Sequence, residues 1–339
     1  MPSARRHAQR KGKKPPAPRE PERVRPHRWV ERKANMANLA SPELIHFLAC
    51  PDCGGDLLEA AAVLKCAYCH REYEVINGIP LLYPENMDIE RLREEENLAE
   101  MMKQPRLSRR DRFISVQWEK SKQEFWGMVK DNIEAPLRSF INVGCGYDAS
   151  FNSFQQEGYV FVNFDIVYDM LYTLQRDYGA RYCVAGDINS LPFKEESFDY
   201  VVCIDVVHHE SDKLSILLKS FGNLLKPGGS LFLEDLNAWG MFQLVKSLLL
   251  PKPLHRFLRA TYHKLKRSTH KPADYEFPTS PWRVKRIMEG LGFCHITVHP
   301  NRAYPNIGPL SFRGYKVLSE TEWGRKHHNY HYVVSAVKK

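Results

Sequence analysis

Two sets of residues in this chain have the types and the spacing to do chemistry. The first is Cys50-Pro-Asp-Cys53 and Cys66-Ala-Tyr-Cys69, with twelve residues between the pairs. Each C-x2-C turn can aim two thiolates at one ion, Gly54 and Gly55 allow the tight knuckle after Cys53, and Zn²⁺ accepts four sulfurs tetrahedrally. Four protein ligands leave no open position for water, so such a site is structural rather than catalytic. Four plain thiols or two disulfides are the competing readings. The other cysteines, Cys145, Cys183, Cys203 and Cys294, stand singly, which is metal spacing plus core thiols and not a disulfide framework. His70 adjoins Cys69 and is an alternative ligand, although adjacent residues rarely both reach one metal.

The second set begins at Val143-Gly144-Cys145-Gly146. A turn without Cβ atoms after a strand lets the backbone approach a ligand closely before a helix begins. About twenty residues on, Asp165 ends another apolar run, where its carboxylate can accept two hydrogen bonds from ribose hydroxyls. Dinucleotide enzymes share that pair, so it does not choose a cofactor. His208 and His209 follow the run FDYVVCI, at the strand ends where ligands bind in open α/β sheets. Imidazole has a suitable pKa for a general base, and a packing or loop role is the competing reading for each.

These residues need a scaffold, and the chain predicts one. Short β-rich runs at 139–143, 159–164, 181–186, 198–204, 230–234, 293–298 and 331–337 alternate with helical stretches such as MLYTLQRDY and KLSILLKSFGNLL. That alternation predicts an α/β fold with a doubly wound, seven-stranded sheet over 136–339. Ahead of it, 41–87 reads as a small zinc ribbon and 88–135 as a charged helical connector with Trp118, Phe125 and Trp126 near helical spacing, more often a packed face than a ligand box. Residues 1–35 combine Pro, Lys and Arg without apolar periodicity and read as a disordered basic tail, with Met36 opening the structured sequence. That tail carries 12 Lys or Arg and 3 Glu, a net +9, so the formal net charge of +9 lies wholly within it and 36–339 is neutral. No run of 18 apolar residues predicts a membrane span, and no apolar signal core opens the chain. A reducing, cytoplasmic setting is the expectation. A mitochondrial transit peptide is opposed by six prolines in the first 26 residues.

The segment LIHFLACPDCGGDLL, the paired cysteines and the closing GIPLLYPEN resemble the small zinc-ribbon proteins that activate tRNA and translation-factor methyltransferases as a separate subunit. The resemblance covers about 42–87 and implies a methyltransferase fused behind the ribbon. GDINSLPFKEESFDYVVCIDVVHHESD, followed by LLKPGG and a strand, resembles the class I S-adenosylmethionine-dependent methyltransferases over about 138–299, particularly the group acting on small molecules, lipids and sugars. That resemblance implies S-adenosylmethionine as cofactor. It places Gly144 and Gly146 against the methionine portion, Asp165 on the ribose, Asp187 on the adenine amino group and Ile188 against the base. A loop-capping carboxylate is the other reading of Asp187. The chain departs from the family in having Asn142 for the usual acid and Tyr147-Asp148 for a small residue after the glycines. Asn142 can hydrogen-bond but cannot neutralise an ammonium group, a deficit that Asp148 is conjectured to make good.

No Asn/Asp-Pro-Pro-aromatic motif follows the fourth strand, against exocyclic amino methylation of bases, and no Pro-Cys or Thr-Cys nucleophile, against pyrimidine carbon methylation. The expected acceptor is a small molecule, lipid or glycan; an RNA methyltransferase and a non-catalytic scaffold are the alternatives. An insertion at 239–280 holds no acid from Trp239 to Ala273 but eight bases between Lys246 and Lys271, interleaved with leucines and aromatics. It reads as a solvated helical face, or as peripheral contact with anionic membrane or RNA through 246–271.

Overall fold

The computed structural model describes residues 40–60, 63–103, 109–133, 139–238, 278–301 and 331–339. The tail 1–35 and residues 239–277 of the basic insertion lie outside the described residues.

The apolar runs form strands that have no solvent face. β5 (Ser139–Val143), β7 (Tyr182–Gly186) and β8 (Phe198–Ile204) are buried at every position, and β6 (Val160–Asp165) at all but its first, as parallel strands covered on both faces must be. β6 pairs in parallel with β5 and β7, and β8 in parallel with β5 and β9 (Leu225–Leu236). β11 (His331–Lys338) inserts antiparallel between β9 and β10 (Phe293–Asn301). The resulting order, β7-β6-β5-β8-β9-β11-β10, reverses direction between β5 and β8. That reversal opens a crevice at the carboxyl ends of the strands, where such sheets bind ligands.

The helices that cover the sheet follow the 3.6-residue period. In α6 (Leu214–Leu224), Leu214, Leu217, Leu218, Phe221 and Leu224 are buried on one stripe, each worth ~1.5–3 kcal/mol relative to exposure. α4 (Phe151–Gln156), α5 (Tyr168–Tyr178) and α7 (Pro281–Gly290) bury shorter stripes in the same manner.

The amino-terminal part contributes a meander: β1 (Leu57–Ala60), β2 (Val63–Cys66), β3 (Glu72–Ile76) and β4 (Ile79–Leu82) pair antiparallel in succession. Here the structure differs from the expected seven-stranded sheet preceded by a separate ribbon. β4 also pairs in parallel with β7, Leu81 opposite Ala185 and Leu82 opposite Gly186, so one sheet runs through eleven strands. The reason is burial: Ile-Pro-Leu-Leu is buried at all four positions and can be stable only against another sheet. A second seam joins the ribbon to the loop after β7. Leu48 bridges Phe193, the Ala49 amide donates to the Pro192 carbonyl at 2.9 Å and the Lys194 amide to the Phe47 carbonyl at 2.8 Å. One apolar cluster accordingly reaches from Leu44, Leu64 and Tyr73 through Phe164 to Leu233 and Val334.

The connector forms two helices, α2 (Ile89–Lys103) and α3 (Arg109–Asp131). Phe125, Trp126 and Val129 of α3 are buried, with Trp126 packed on Phe154 and Phe161, so these aromatics form a packed face. The side chain of Trp118 is outside the described residues.

Candidate functional site

The four ribbon cysteines converge. Their Sγ atoms all lie within 4.8 Å of one another, with Cys50 3.7 Å from Cys69 and Cys53 3.5 Å from Cys66. A Cβ on Gly55 would stand 2.9 Å from Cys66 Sγ, so only glycine lets the loop close on the sulfurs. The amides of Tyr68 and Cys69 both donate to Cys66 Sγ at 3.4 Å. Burial opposes ionisation of that thiol, but these two amides and the neighbouring thiols hold it down at about 7. Four sulfurs at these separations suit a tetrahedral ion with no open position. His70 is not among the converging groups. Behind the sulfurs, Tyr73 lies 3.0 Å from Cys50 Sγ and donates to Asp52 at 2.7 Å, while Asp52 pairs with Arg71 at 3.0 Å.

The second site forms at the carboxyl ends of β5 to β8. Gly144 has a φ of +72°, and a Cβ there would run into Val206, so this turn admits glycine alone. The Gly144 and Cys145 amides donate to the Phe164 carbonyl, which pins the turn to β6. Asp165 at the end of β6 accepts from the amides of Gly146 at 2.8 Å and Val167 at 2.9 Å. Burial pushes its carboxyl above the usual range against the pull of those amides. Asp187 follows β7; its Oδ1 caps the short helical turn 188–190 by accepting from the Asn189 amide at 2.9 Å, and Ile188 beside it is buried. Asn142, two residues before Gly144, is buried, and its Oδ1 has no hydrogen-bond partner among the described residues. Asp148 is already occupied: one oxygen accepts from Trp126 Nε1 at 2.8 Å and the other from Ser150. It ties α3 to the loop after the glycine turn.

α2 supplies residues that sequence reasoning missed. Arg91 pairs closely with buried Glu210 and lies 3.7 Å from Asp187. Asn189 also donates to Glu210, at 3.3 Å, so the loop after β7 and the loop after β8 are tied together under this helix. One turn on from Arg91, Glu95 is raised in pKa by burial and then by the charge of Asp165, and it also feels His208. It therefore lies within electrostatic reach of both residues. The spacing of Arg91 and Glu95 was visible as one helical face; what they face was not.

His208 and His209 lie in the turn after β8 with ring centroids 4.1 Å apart. His208 is buried, its Nδ1 2.6 Å from Asp235 Oδ1 on β9. His209 is pulled down to about 4 by burial and by the neighbouring His208. Gly144, Gly146, Asp165, Asp187, Ile188, His208 and His209 are thus all placed at one edge of the sheet, while the four cysteines form a separate site.

Residues 141–233 match the family model described as a methyltransferase domain. Among similar proteins, a tRNA U34 carboxymethyltransferase of Nautilia profundicola is 28% identical over 159 residues, covering 43% of this chain and 51% of its own. A malonyl-[acyl-carrier protein] O-methyltransferase of Erwinia billingiae is 28% identical over 199 residues, 56% of this chain and 76% of its own. A solved phosphoethanolamine N-methyltransferase 2 of Haemonchus contortus, in complex with S-adenosyl-L-methionine, aligns with TM-score 0.43 and 18% identity over 64% of this chain and 52% of that one. The chain spans about half the length of the Nautilia relative. The stretch that matches the methyltransferase model, 141–233, lies in a Rossmann-like α/β sheet.

Proposed function

We propose that this chain transfers the methyl group of S-adenosylmethionine to an acceptor bound over the carboxyl ends of β5, β8 and β9, and that the four-cysteine knuckle holds a structural Zn²⁺. The observation that carries the first part is the Gly144–Gly146 turn locked to Asp165, with Asp187 and Ile188 one strand further along the same edge. In this reading Gly144 and Gly146 lie against the methionine portion, Asp165 receives the ribose hydroxyls, Asp187 accepts from the adenine amino group and Ile188 packs on the base. Asn142 Oδ1, buried and unpartnered among the described residues, offers an acceptor to the cofactor's ammonium group. The bound cofactor supplies an electrophilic methyl carbon. The chain's own part is in-line positioning, exclusion of water and proton removal, for which His208 and His209 are the candidates.

A small molecule, lipid or glycan is the favoured acceptor, because the motifs for base methylation are absent from the sequence. RNA is the second reading, supported by the similarity to tRNA-modifying relatives and by the basic stretch 246–271. Four thiols kept for a metal fit a reducing cytoplasm, and no described helix is long and apolar enough to cross a membrane.

Calorimetric titration of the full chain with S-adenosylmethionine and S-adenosylhomocysteine tests the activity. Binding is expected to weaken at least tenfold in Asp165→Ala. A folded protein that binds neither at millimolar concentration refutes the proposal, and an unchanged dissociation constant in Asp165→Ala shows the pocket to be elsewhere. Incorporation of labelled methyl groups into small-molecule, lipid and RNA fractions of a deletion strain then separates the acceptor classes.

A further inference from the structure

Beyond the cofactor residues, the ends of β8, β9 and β11 gather five ionisable side chains: Asp205, His208, Glu234, Asp235 and His331. Asp235 is the most enclosed, with no exposed surface. Its Oδ1 lies 2.6 Å from His208 Nδ1, and its Oδ2 accepts from Thr279 Oγ1 at 2.7 Å. The Thr279 hydroxyl also meets the Tyr332 hydroxyl, in a short hydrogen bond from β11. A carboxylate only accepts, so the imidazole nitrogen facing it carries the proton, and Nε2 is the basic nitrogen whenever the ring is neutral. The remaining charges sit around this pair: Asp205 Oδ1 is 3.6 Å from His208 Nδ1 and 3.8 Å from His331 Nε2, and His331 Nδ1 is 3.0 Å from Glu234. From α2, Glu95 and Arg91 face the same turn.

A cation is the rival explanation, since Asp205, His208 and Asp235 bring three ligand atoms within 4.8 Å of one another. Both Asp235 oxygens are engaged in hydrogen bonds, however. Its 2.6 Å contact with His208 Nδ1 is a charge-assisted hydrogen bond, closer than two ligands sit around one ion with bonds of ~2.0–2.2 Å. His209 lacks this arrangement and, held neutral by burial, is a weak base.

We propose that Asp235 is the positioning residue of a His208–Asp235 pair, with Thr279 and Tyr332 fixing the carboxylate, and that His208 Nε2 takes a proton from the methyl acceptor. The inference rests on the methyl-transfer reading and narrows it. The acceptor atom is one that carries both a lone pair and a proton to lose, a hydroxyl oxygen or an amine nitrogen, and not a carboxylate or a thioether. Its lone pair forms the new bond to the methyl carbon while the carbon–sulfur bond breaks and its electrons remain on sulfur; the proton released goes to Nε2, and Asp235 balances the imidazolium. Orientation by a buried carboxylate secures the tautomer as well as the charge.

The full chain, labelled with ¹⁵N-histidine and saturated with S-adenosylhomocysteine, tests this by long-range ¹H–¹⁵N correlation, with His208→Gln to assign the resonance. Wild-type His208 is expected as the Nδ1–H tautomer. In Asp235→Asn that preference is expected to be lost and the titration midpoint of His208 to fall by ~1–3 pH units, with Asp235→Glu restoring both. Should Asp235→Asn not fold, Thr279→Val is expected to shift the tautomer ratio the same way. An Nε2–H tautomer in the wild type, or one indifferent to both substitutions, overturns the inference, as does Mn²⁺ broadening of the His208 resonance at stoichiometric metal. If wild-type protein does not bind S-adenosylhomocysteine by calorimetry, it is the methyl-transfer reading that falls.

Discussion

Arg91→Ala probes whether α2 is part of the cofactor site. The guanidinium spans Glu210 and Asp187, both 6% exposed. Breaking a buried pair by removing one partner costs ~3–5 kcal/mol, whereas an exposed pair is worth ~0–1 kcal/mol. Arg91 lies between these limits: its side chain is 22% exposed, and Lys213 remains 3.3 Å from Glu210 to share the charge. A loss of ~1.5–3 kcal/mol follows, borne by the two loops that hold Asp187 and His208. Because ~1.4 kcal/mol is tenfold in affinity, the dissociation constant for S-adenosylhomocysteine is expected to rise about 10- to 100-fold. Arg91→Lys should recover part of it, since an ammonium keeps the charge but not the planar, delocalised guanidinium whose Nη1 lies beside both carboxylates. Calorimetry at fixed ionic strength measures the affinity, and thermal unfolding without ligand separates it from global stability. A folded Arg91→Ala protein with wild-type affinity refutes the placement of α2 over the pocket.

Three further outcomes are expected. Metal analysis should find one zinc per wild-type chain and none in Cys66→Ala, with Tm lower by ~10 °C or more; full zinc in the variant sinks the four-cysteine site. Gly144→Ala drives a Cβ into Val206 at a positive φ and should cost ~1–3 kcal/mol of stability along with most cofactor affinity; wild-type behaviour in both assays contradicts the described turn. His331 is drawn down by burial but raised overall above its ordinary 6.5 by the Glu234 hydrogen bond and the charges of Asp205 and Asp235. A raised histidine stabilises fully below its unfolded pKa and loses that contribution as pH rises through the folded value. The stability advantage of wild type over His331→Gln should therefore be larger at pH 6 than at pH 9, and a constant difference argues against the charged pair.

What the sequence made legible has local causes. The strand runs fall within a residue or two of their predicted positions, except that β9 begins earlier, at Leu225, because LKPGG extends the strand, and β10 runs three residues further, to Asn301. The paired cysteines and the G-x-G turn were readable because spacing alone determines them. The union of the ribbon with the large sheet depends on a long-range pairing, and only the lack of any polar position in Ile-Pro-Leu-Leu hinted that β4 is covered on both faces. Arg91, Glu210 and Asp235 were passed over for the same reason: each is an ordinary charge in sequence and finds its partners only on distant elements. Glu234-Asp235 at the end of an apolar strand was the one available signal, since buried acids require partners.

The strand bridge between Asn237 and Thr279, with the Ala238 amide donating to the Thr279 carbonyl at 2.9 Å, brings the two ends of segment 239–277 side by side. Closing a loop on such a stem depends only weakly on its length, ~0.6 kcal/mol per doubling. The same stem carries Thr279, which holds Asp235 and through it His208. The length of this segment can thus change while Asn237, Thr279 and the Asp235–His208 contact stay in register. A segment that begins and ends on a fixed stem is a natural place for insertions and exchanges that leave the sheet beside it unaltered.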